Sequence, residues 1–233
     1  MTKKIFLLLF FFFIPGICNG QSRVFDCLNR EELPLKEAKA IISLVQDEYS
    51  KTKGVEGTFS QDSFNAALEM SEVAVGRFYF SKPSKMKWLY EAPKKQTFLL
   101  NEGTIWLYQE EENQVLIDSF DKIFVSDLPV SFLMGLGDLK KDFEVQSGCR
   151  TPDGNVIELK PSAEVSSQLA AFKLLVREAS YFPAGASIKD AGGNTTSLLF
   201  SDVNVKQSFE DNLFELKFPE GVDIQDRRKK NGR

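Results

Sequence analysis

Large apolar side chains recur at every second position in short stretches between residues 76 and 108. Turn signals built on Lys82-Pro83-Ser84, Ala92-Pro93-Lys94 and Asn101-Glu102-Gly103 separate these stretches. A period of two in aromatic and β-branched residues is typical of strands, and such tripeptides are typical of hairpin connections. The segment therefore predicts a four-stranded meander. This meander carries so much aromatic surface that either another part of the protein or a ligand must cover it.

The remaining pattern adds one long helix and further strands. From Leu35 to about Lys53, apolar residues fall at helical spacing on one face: Leu35, Ala38, Ile41, Ile42, Val45 and Tyr49. The candidate strands are residues 55–64, 73–80, 86–90, 97–100, 105–108, 114–117, 143–147, 156–161, 173–178, 186–190, 197–203 and 213–218. The short, almost wholly apolar stretch 128–136 predicts a brief helix that is buried or lies over an apolar site. Together these elements indicate a mainly β protein of the α+β class, a half-closed antiparallel barrel of about eleven strands around helices.

The first twenty residues have the features of a secretory signal peptide. Lys3 and Lys4 form a basic start, an apolar run extends to Ile17, and small residues follow, so we expect cleavage after Gly20. A lipid anchor on Cys18 is disfavoured because the bulky Ile17 precedes it, and an uncleaved membrane anchor is the remaining alternative. We expect the mature chain to be one domain, residues 21–225, followed by a charged tail at 226–233.

The chain contains no histidine, and this narrows its chemistry. Ser-His-Asp and Cys-His catalysis and histidine-based zinc sites are excluded. No spacing of carboxylates or lysines points to a catalytic site, so we expect neither an enzyme, nor a cofactor, nor a metal. The formal net charge is −4, without a basic face, which argues against a nucleic-acid partner.

The exported chain keeps two cysteines, Cys27 and Cys149. In an oxidising compartment an even count favours a disulfide, which would tie the N-terminal arm to a distant point of the chain. Two separate buried thiols are the alternative.

Several short motifs, taken in order, resemble those of a known family. They are Phe59-Ser60-Gln61, the stretch 76–80 followed by Lys82-Pro83, Trp88, Pro93, the stretch 103–108 followed by Gln114-Val115, an apolar helix at 128–136 in the place of the family's lid helix, and 214–223 as its closing strand. The chain thus resembles the periplasmic outer-membrane lipoprotein carrier proteins of the LolA family. The resemblance covers nearly all of the expected mature chain and depends on the order and spacing of the motifs together.

The resemblance implies an incomplete antiparallel β-barrel covered by a helical lid. It also implies a monomeric periplasmic chaperone that binds the acyl chains of lipoproteins in an apolar cavity and catalyses no reaction. Such a carrier takes lipoproteins from an inner-membrane ABC transporter and passes them to an outer-membrane receptor. Acyl chains cost roughly 0.8 kcal/mol per methylene exposed to water, so a shielding cavity under a lid that opens agrees with this task.

By position, the predicted cavity residues are Met86, Trp88 and Phe98, with Phe59, Phe78 and Phe80 as further candidates. The predicted lid residues are Leu128, Phe132 and Leu133. Lys82 occupies the place where the family often has an arginine that bonds lid-helix carbonyls. Because lysine offers a single ammonium instead of a planar fork, we expect this latch to be weaker or differently placed. For each aromatic residue the alternative is ordinary core packing.

Other functions fit parts of the same pattern. A general periplasmic lipid or glycolipid shuttle, or an envelope-stress sensor, would use the same fold. An outer-membrane receptor would need a lipid anchor, which Ile17 disfavours, and a sensor usually has a second domain. A lipid-modifying enzyme would need titratable groups in the pocket, whereas the clustered lysines have the pattern of turn and outward-facing charges: Lys82, Lys85, Lys87, Lys94 and Lys95.

Overall fold

The computed structural model describes residues 22–120, 138–161 and 169–228. Thirteen strands lie within these ranges: β1 Glu31–Glu32, β2 Gly54–Asn65, β3 Met70–Ser81, β4 Lys85–Ala92, β5 Gln96–Asn101, β6 Thr104–Gln109, β7 Gln114–Ser119, β8 Phe143–Thr151, β9 Gly154–Pro161, β10 Leu169–Val176, β11 Pro183–Asp190, β12 Thr195–Lys206 and β13 Asp223–Asp226. They form one sheet in the order β1-β8-β9-β10-β11-β12-β2-β3-β4-β5-β6-β7-β13. All neighbours are antiparallel except β7 and β13, which run parallel. The sheet is open, with β1 and β13 at its two edges.

This architecture confirms the predicted mainly β fold on an incomplete, open sheet. Strands β2 to β12 correspond to eleven of the candidate strands. The two additional strands, β1 and β13, have two and four residues, which is too few for a periodic signal. The candidate strand at 213–218 is wrong, because a 3-10 turn, Asp211–Phe214, begins there and no strand follows until β13.

Helix α1, Leu35–Lys51, covers one half of the sheet. Its residues Ala38, Ile41, Ile42 and Val45 are at most 5% exposed, and they pack with side chains of β8 to β11 in a first core. Leu35, predicted on the same face, stays exposed because it lies at the open start of the first turn. In the described residues, no helix combines the length and the apolar character that a bilayer-spanning helix needs.

A single-turn helix, α2 (Leu139–Asp142), leads into β8. Asp138 caps it, because its carboxylate accepts hydrogen bonds from the amides of Lys140 and Lys141. The side-chain oxygen of Gln46 in α1 accepts a further bond from the amide of Leu139, at 2.8 Å. Helix α2 is therefore fixed to α1.

A second core lies on the same face of the sheet as α1, which we call the inner face. We call this second core the aromatic core, and its buried members are Val55, Phe59, Phe78, Phe80, Met86, Leu100, Ile105, Leu198 and Phe200. Leu198 of β12 is in line with Ala186 of β11 and Leu174 of β10, both members of the first core. The two cores are therefore neighbours on one continuous surface.

The N-terminal arm, residues 22–28, covers part of the opposite, outer face. Phe25 is 3% exposed and packs with Val156 and Leu175. A disulfide joins Cys27 to Cys149 of β8, with a sulfur–sulfur distance of 2.06 Å. The arm is thus attached to the sheet by both a covalent bond and a small apolar cluster.

The C-terminal segment, residues 207–222, crosses the outer face beside β3 to β6. Phe214 is buried there, and the carbonyls of Leu213 and Phe214 accept hydrogen bonds from the side chains of Lys87 (2.9 Å) and Asn101 (3.3 Å). Side chains therefore satisfy backbone groups that a neighbouring strand would otherwise bond. This explains why an alternating apolar pattern at 213–218 does not produce a strand.

Candidate apolar binding site

Three aromatic residues predicted to line a cavity lie side by side on the sheet. Phe78 of β3 is opposite Trp88 of β4, and Trp88 is opposite Phe98 of β5. Directly opposite residues on neighbouring strands project from the same face, so the three side chains form one row. The ring centroids of Phe78 and Trp88 are 5.5 Å apart, in stacked orientation.

A parallel row contains Phe80 and Met86, which are also directly opposite. The ring of Tyr49, at the end of α1, stacks over Phe80 with centroids 6.4 Å apart. This contact places both rows on the inner face. The alternating aromatic residues of β3 and β4 therefore project towards α1, a direction that the sequence alone does not determine.

Phe59 of β2 extends this aromatic surface. Its ring centroid lies 4.5 Å from that of Trp88 and 5.1 Å from that of Tyr90, which it meets edge to face. Gly76 lies between Phe59 and Tyr90 in the register, and a Cβ there would lie 2.9 Å from the Phe59 ring and collide with the carbonyl of Leu89. Glycine therefore permits the two rings to meet across three strands.

A cavity opens between this surface and the end of α1. Its lining residues are Tyr49, Val55, Phe78, Phe80, Met86, Trp88, Phe182, Pro183 and Phe200. The volume of the cavity is only about 20 Å³. That is room for little more than one water molecule. An acyl chain would enter only if lining side chains moved.

The structure brings most of the predicted cavity residues to this wall. Phe78, Phe80, Met86 and Trp88 line the cavity. Phe59 and Phe98 lie outside the lining and pack with the aromatic core. The predicted lid residues Leu128, Phe132 and Leu133 lie outside the described residues.

Five lining residues were not predicted: Tyr49, Val55, Phe182, Pro183 and Phe200. Three of them had a usable signal. Tyr49 stood on the apolar face of the predicted helix, and Val55 and Phe200 stood in predicted strands, where they pair with Phe80 and Phe59. Phe182 ends the connection between β10 and β11, and Pro183 begins β11 ahead of the predicted strand at 186–190, where the chain has no periodic pattern.

Lys82 holds the end of α1. Its ammonium donates hydrogen bonds to the carbonyls of Tyr49, at 2.6 Å, and Ser50, at 3.0 Å. Carbonyls in the last turn of a helix lack intrahelical donors and carry partial negative charge, so a cation is favourable there. Burial lowers the pKa of Lys82 from its ordinary value, because desolvation disfavours the charge. The latch position thus contacts the helix segment that presents Tyr49 to the cavity.

The cavity wall presents no charge near neutral pH. Tyr49 is the single ionisable residue in the lining, and burial raises its pKa above the ordinary value. Next to the cavity, burial raises the pKa of Tyr90 to about 12, and its hydroxyl donates to the side-chain oxygen of Gln61 at 3.0 Å. Such a lining is chemically suited to apolar groups and offers no ionised partner for a polar ligand.

The clustered lysines are engaged elsewhere. Lys85 pairs with Asp211 at 2.8 Å, Lys94 pairs with Glu112 at 3.3 Å, and Lys87 bonds the C-terminal segment on the outer face. Within the described ranges, no group of three or more histidine, cysteine, aspartate or glutamate residues is placed to hold a metal ion. None of these lysines points to a reaction at the cavity.

Comparison with known proteins places the chain in a family. A family model described as outer membrane lipoprotein carrier protein LolA matches residues 50–217. The chain belongs to the LolA family. The matched range contains Lys82 and all six predicted cavity residues, whereas the N-terminal arm and nearly all of α1 precede it.

Individual relatives agree with this LolA membership. An outer-membrane lipoprotein carrier protein of Cupriavidus pinatubonensis is 28% identical over 175 residues, covering 74% of this chain and 81% of the relative. One from Nitrosomonas europaea is 23% identical over 196 residues, covering 82% and 92%. Among solved structures, an uncharacterized conserved protein from Thermus thermophilus superposes with a TM-score of 0.54 at 16% identity, over 82% of this chain and 99% of that one. This last likeness concerns the fold alone.

Proposed function

We propose that this LolA-family protein is a periplasmic carrier that binds the acyl chains of lipoproteins on the inner face of its sheet. The observation that carries the proposal is the aromatic row of Phe78, Trp88 and Phe98 beside a cavity with an uncharged, apolar lining. Each methylene that leaves water for such a surface contributes roughly 0.8 kcal/mol. The names of the relatives, which are outer-membrane lipoprotein carrier proteins, support the same cargo.

Cargo entry requires opening, because the cavity admits little more than one water molecule in this state. We propose that the last turn of α1 moves away from the sheet and takes Tyr49 with it. Lys82 acts as the latch that holds this turn closed. We propose a lid role also for Leu128, Phe132 and Leu133, which lie outside the described residues. A latch of two hydrogen bonds is weak enough for cargo binding to break it.

The carrier works between two membrane partners. It receives lipoproteins from an inner-membrane ABC transporter and delivers them to an outer-membrane receptor, acting as a monomer without a cofactor. Export depends on cleavage of residues 1–20, and residues 21–225 form the carrier domain. The names of the relatives, outer-membrane lipoprotein carrier proteins, support the cargo. The transporter, the receptor, the monomeric state and the export signal extend the resemblance of the sequence to the LolA family.

The test is affinity capture of the protein from the periplasm, followed by mass spectrometry of the bound molecules. We expect acylated lipoproteins with the native chain and their loss in the Trp88→Glu variant, because a carboxylate on the inner face disfavours an acyl chain. Trp106→Glu is the matched control. Trp106 is the other tryptophan of the chain, and it is adjacent to Leu107, which shares the face of Trp88, so Trp106 projects from the outer face.

One result would contradict the site and two would contradict the carrier function. Equal cargo loss in both tryptophan variants would mean that the charge harms folding, and the aromatic row would then lose its support as the binding site. Phospholipid or glycolipid without any lipoprotein would identify a general lipid shuttle. Absence of every apolar molecule from the native protein would mean that the aromatic row is ordinary core.

A further inference from the structure

Two lining residues of the cavity also contact the first core. Tyr49 is a member of the first core, and Phe182 packs against both the first core and the aromatic core. Their rings stack with centroids 5.4 Å apart and planes 23° apart. Together they form the wall that separates the cavity from the core under α1.

The first core lies behind this wall. Val45 of α1, Val176 at the end of β10 and Ala186 of β11 belong to the first core and are fully buried. Protein interiors are close-packed, so an apolar chain that reaches the wall cannot continue into this core. The end of the cavity is therefore set by the two stacked rings.

The two rings differ in how they are attached. Tyr49 lies in the last turn of α1, which Lys82 holds through two hydrogen bonds. Phe182 directly precedes β11, an interior strand that pairs with β10 on one side and β12 on the other. Its amide also donates to the hydroxyl of Ser180 at 3.3 Å. When the end of α1 moves, Phe182 stays with the sheet.

We infer that Phe182 is the fixed end wall of the cavity and sets the longest acyl chain that the protein shields completely. This inference rests on the proposed function, because it assumes that acyl chains enter the cavity. Its consequence is a chain-length limit. Each methylene up to the wall strengthens binding about fourfold, and methylenes beyond the wall add nothing.

The test is calorimetric titration of the purified protein with saturated fatty acids from octanoate to stearate. For the native chain, affinity should rise about fourfold per methylene and then level off. In Phe182→Ala the loss of the ring deepens the cavity, so the plateau should move to longer acids by several carbons. In Phe182→Trp the larger ring should move the plateau to shorter acids. The tryptophan variant keeps the test decisive if the alanine variant does not fold.

Phe143→Ala is the matched control, because Phe143 is a buried phenylalanine of the first core that does not line the cavity. It should lower stability and leave the plateau unchanged. Plateaus at the same acid in the native, Phe182→Ala and Phe182→Trp proteins would refute the end wall while leaving the carrier function intact. If the native protein bound no fatty acid of any length, the proposed carrier function itself would be refuted.

Discussion

At the scale of single residues, Lys82 has the best-defined task. Its ammonium bonds two carbonyls of the last turn of α1, and Lys82→Met removes both bonds while it keeps the apolar stem. A hydrogen bond from a charged donor contributes about 1.5–3 kcal/mol, and partial exposure of this side chain reduces the value. We expect Lys82→Met to lower the free energy of unfolding by about 1 kcal/mol in urea denaturation. Lys82→Arg should retain nearly all of this stability, because the guanidinium can reach both carbonyls.

The neighbouring Lys85 provides the comparison for this prediction. Its ion pair is with Asp211, whose side chain is 90% exposed, so Lys85→Met should change stability by at most about 0.5 kcal/mol. The latch would be refuted if the two methionine variants had the same unfolding midpoint. It would also be refuted if Lys82→Met took up a fluorescent fatty acid no faster than the native protein.

Tyr90 predicts how stability changes at alkaline pH. In the unfolded chain a tyrosine ionises near pH 10, whereas burial raises the pKa of Tyr90 to about 12 in the folded protein. The folded state therefore holds a proton that the unfolded state has released, and stability falls as the pH rises from about 10 to 12. The loss from this group amounts to about 2.5 kcal/mol over that window.

Unfolding by urea at a series of pH values checks this prediction. Tyr90→Phe should reduce the slope of the free energy of unfolding against alkaline pH by the equivalent of about one proton. It should also lower the free energy of unfolding by about 1 kcal/mol at neutral pH, because the bond to Gln61 is lost. Tyr49, whose pKa burial also raises, should maintain part of the remaining slope, which the double variant should reduce further. Identical slopes in the native and Tyr90→Phe proteins would show that Tyr90 has the same pKa in the folded and the unfolded state.

At the scale of elements, the sequence predicts those whose burial follows a regular period. Helix α1 and most of the strands from β2 to β12 present one face to a core, so a period of 3.6 or two marks them, whereas β9 and β10 bury both faces, one under α1 and one under the N-terminal arm. Residues 213–218 have the same alternation because Phe214 is buried, but side chains of the sheet satisfy their carbonyls. Alternation reports burial of one face and does not report hydrogen-bond partners.

The same reasoning explains what could be predicted of the site. Phe78, Phe80, Met86 and Trp88 alternate within strands, so their shared face follows from the pattern. Phe182 reaches the cavity from a connection, and its place depends on how β10 and β11 pair. A local pattern contains no information on such a long-range arrangement.

The N-terminal arm provides the prediction at this scale. The disulfide joins residues 122 positions apart, and the chain-entropy model assigns up to about 5 kcal/mol to so long a loop. Reduction should therefore lower the free energy of unfolding by about 2–5 kcal/mol and free the buried Phe25. The measurement is urea unfolding with and without dithiothreitol, together with the rate of tryptic cleavage at Arg23 and Arg30.

The double variant Cys27→Ser/Cys149→Ser is the control for this prediction, because it should match the reduced protein and show no response to dithiothreitol. If the oxidised and reduced proteins unfolded at the same urea concentration, the bond would have no part in stability. Unchanged tryptic cleavage would mean that packing of Phe25 alone holds the arm.

At the scale of the whole molecule, the question is which part of the closed structure gives way to cargo. Strands β2 to β12 each have a hydrogen-bonded neighbour on both sides, so moving one of them would break two ladders. Helix α1 belongs to no strand ladder. Its first turns are anchored by Ala38, Ile41, Ile42 and Val45, and its last turn by Lys82 and the packing of Tyr49. Among the elements that line the cavity, we therefore expect the end of α1 to move most readily.

Hydrogen–deuterium exchange with and without palmitate tests this expectation. Because the closed cavity has room for little more than one water molecule, we expect bound palmitate to displace the end of α1, so that amides of residues 47–52 exchange faster. Amides of β3 to β5 should exchange more slowly, because the acyl chain covers their inner face. Lys82→Met should already show fast exchange at 47–52 without palmitate. Slower exchange at both places on binding would mean that the acyl chain enters under an unmoved helix, and the latch would then have no part in admitting cargo.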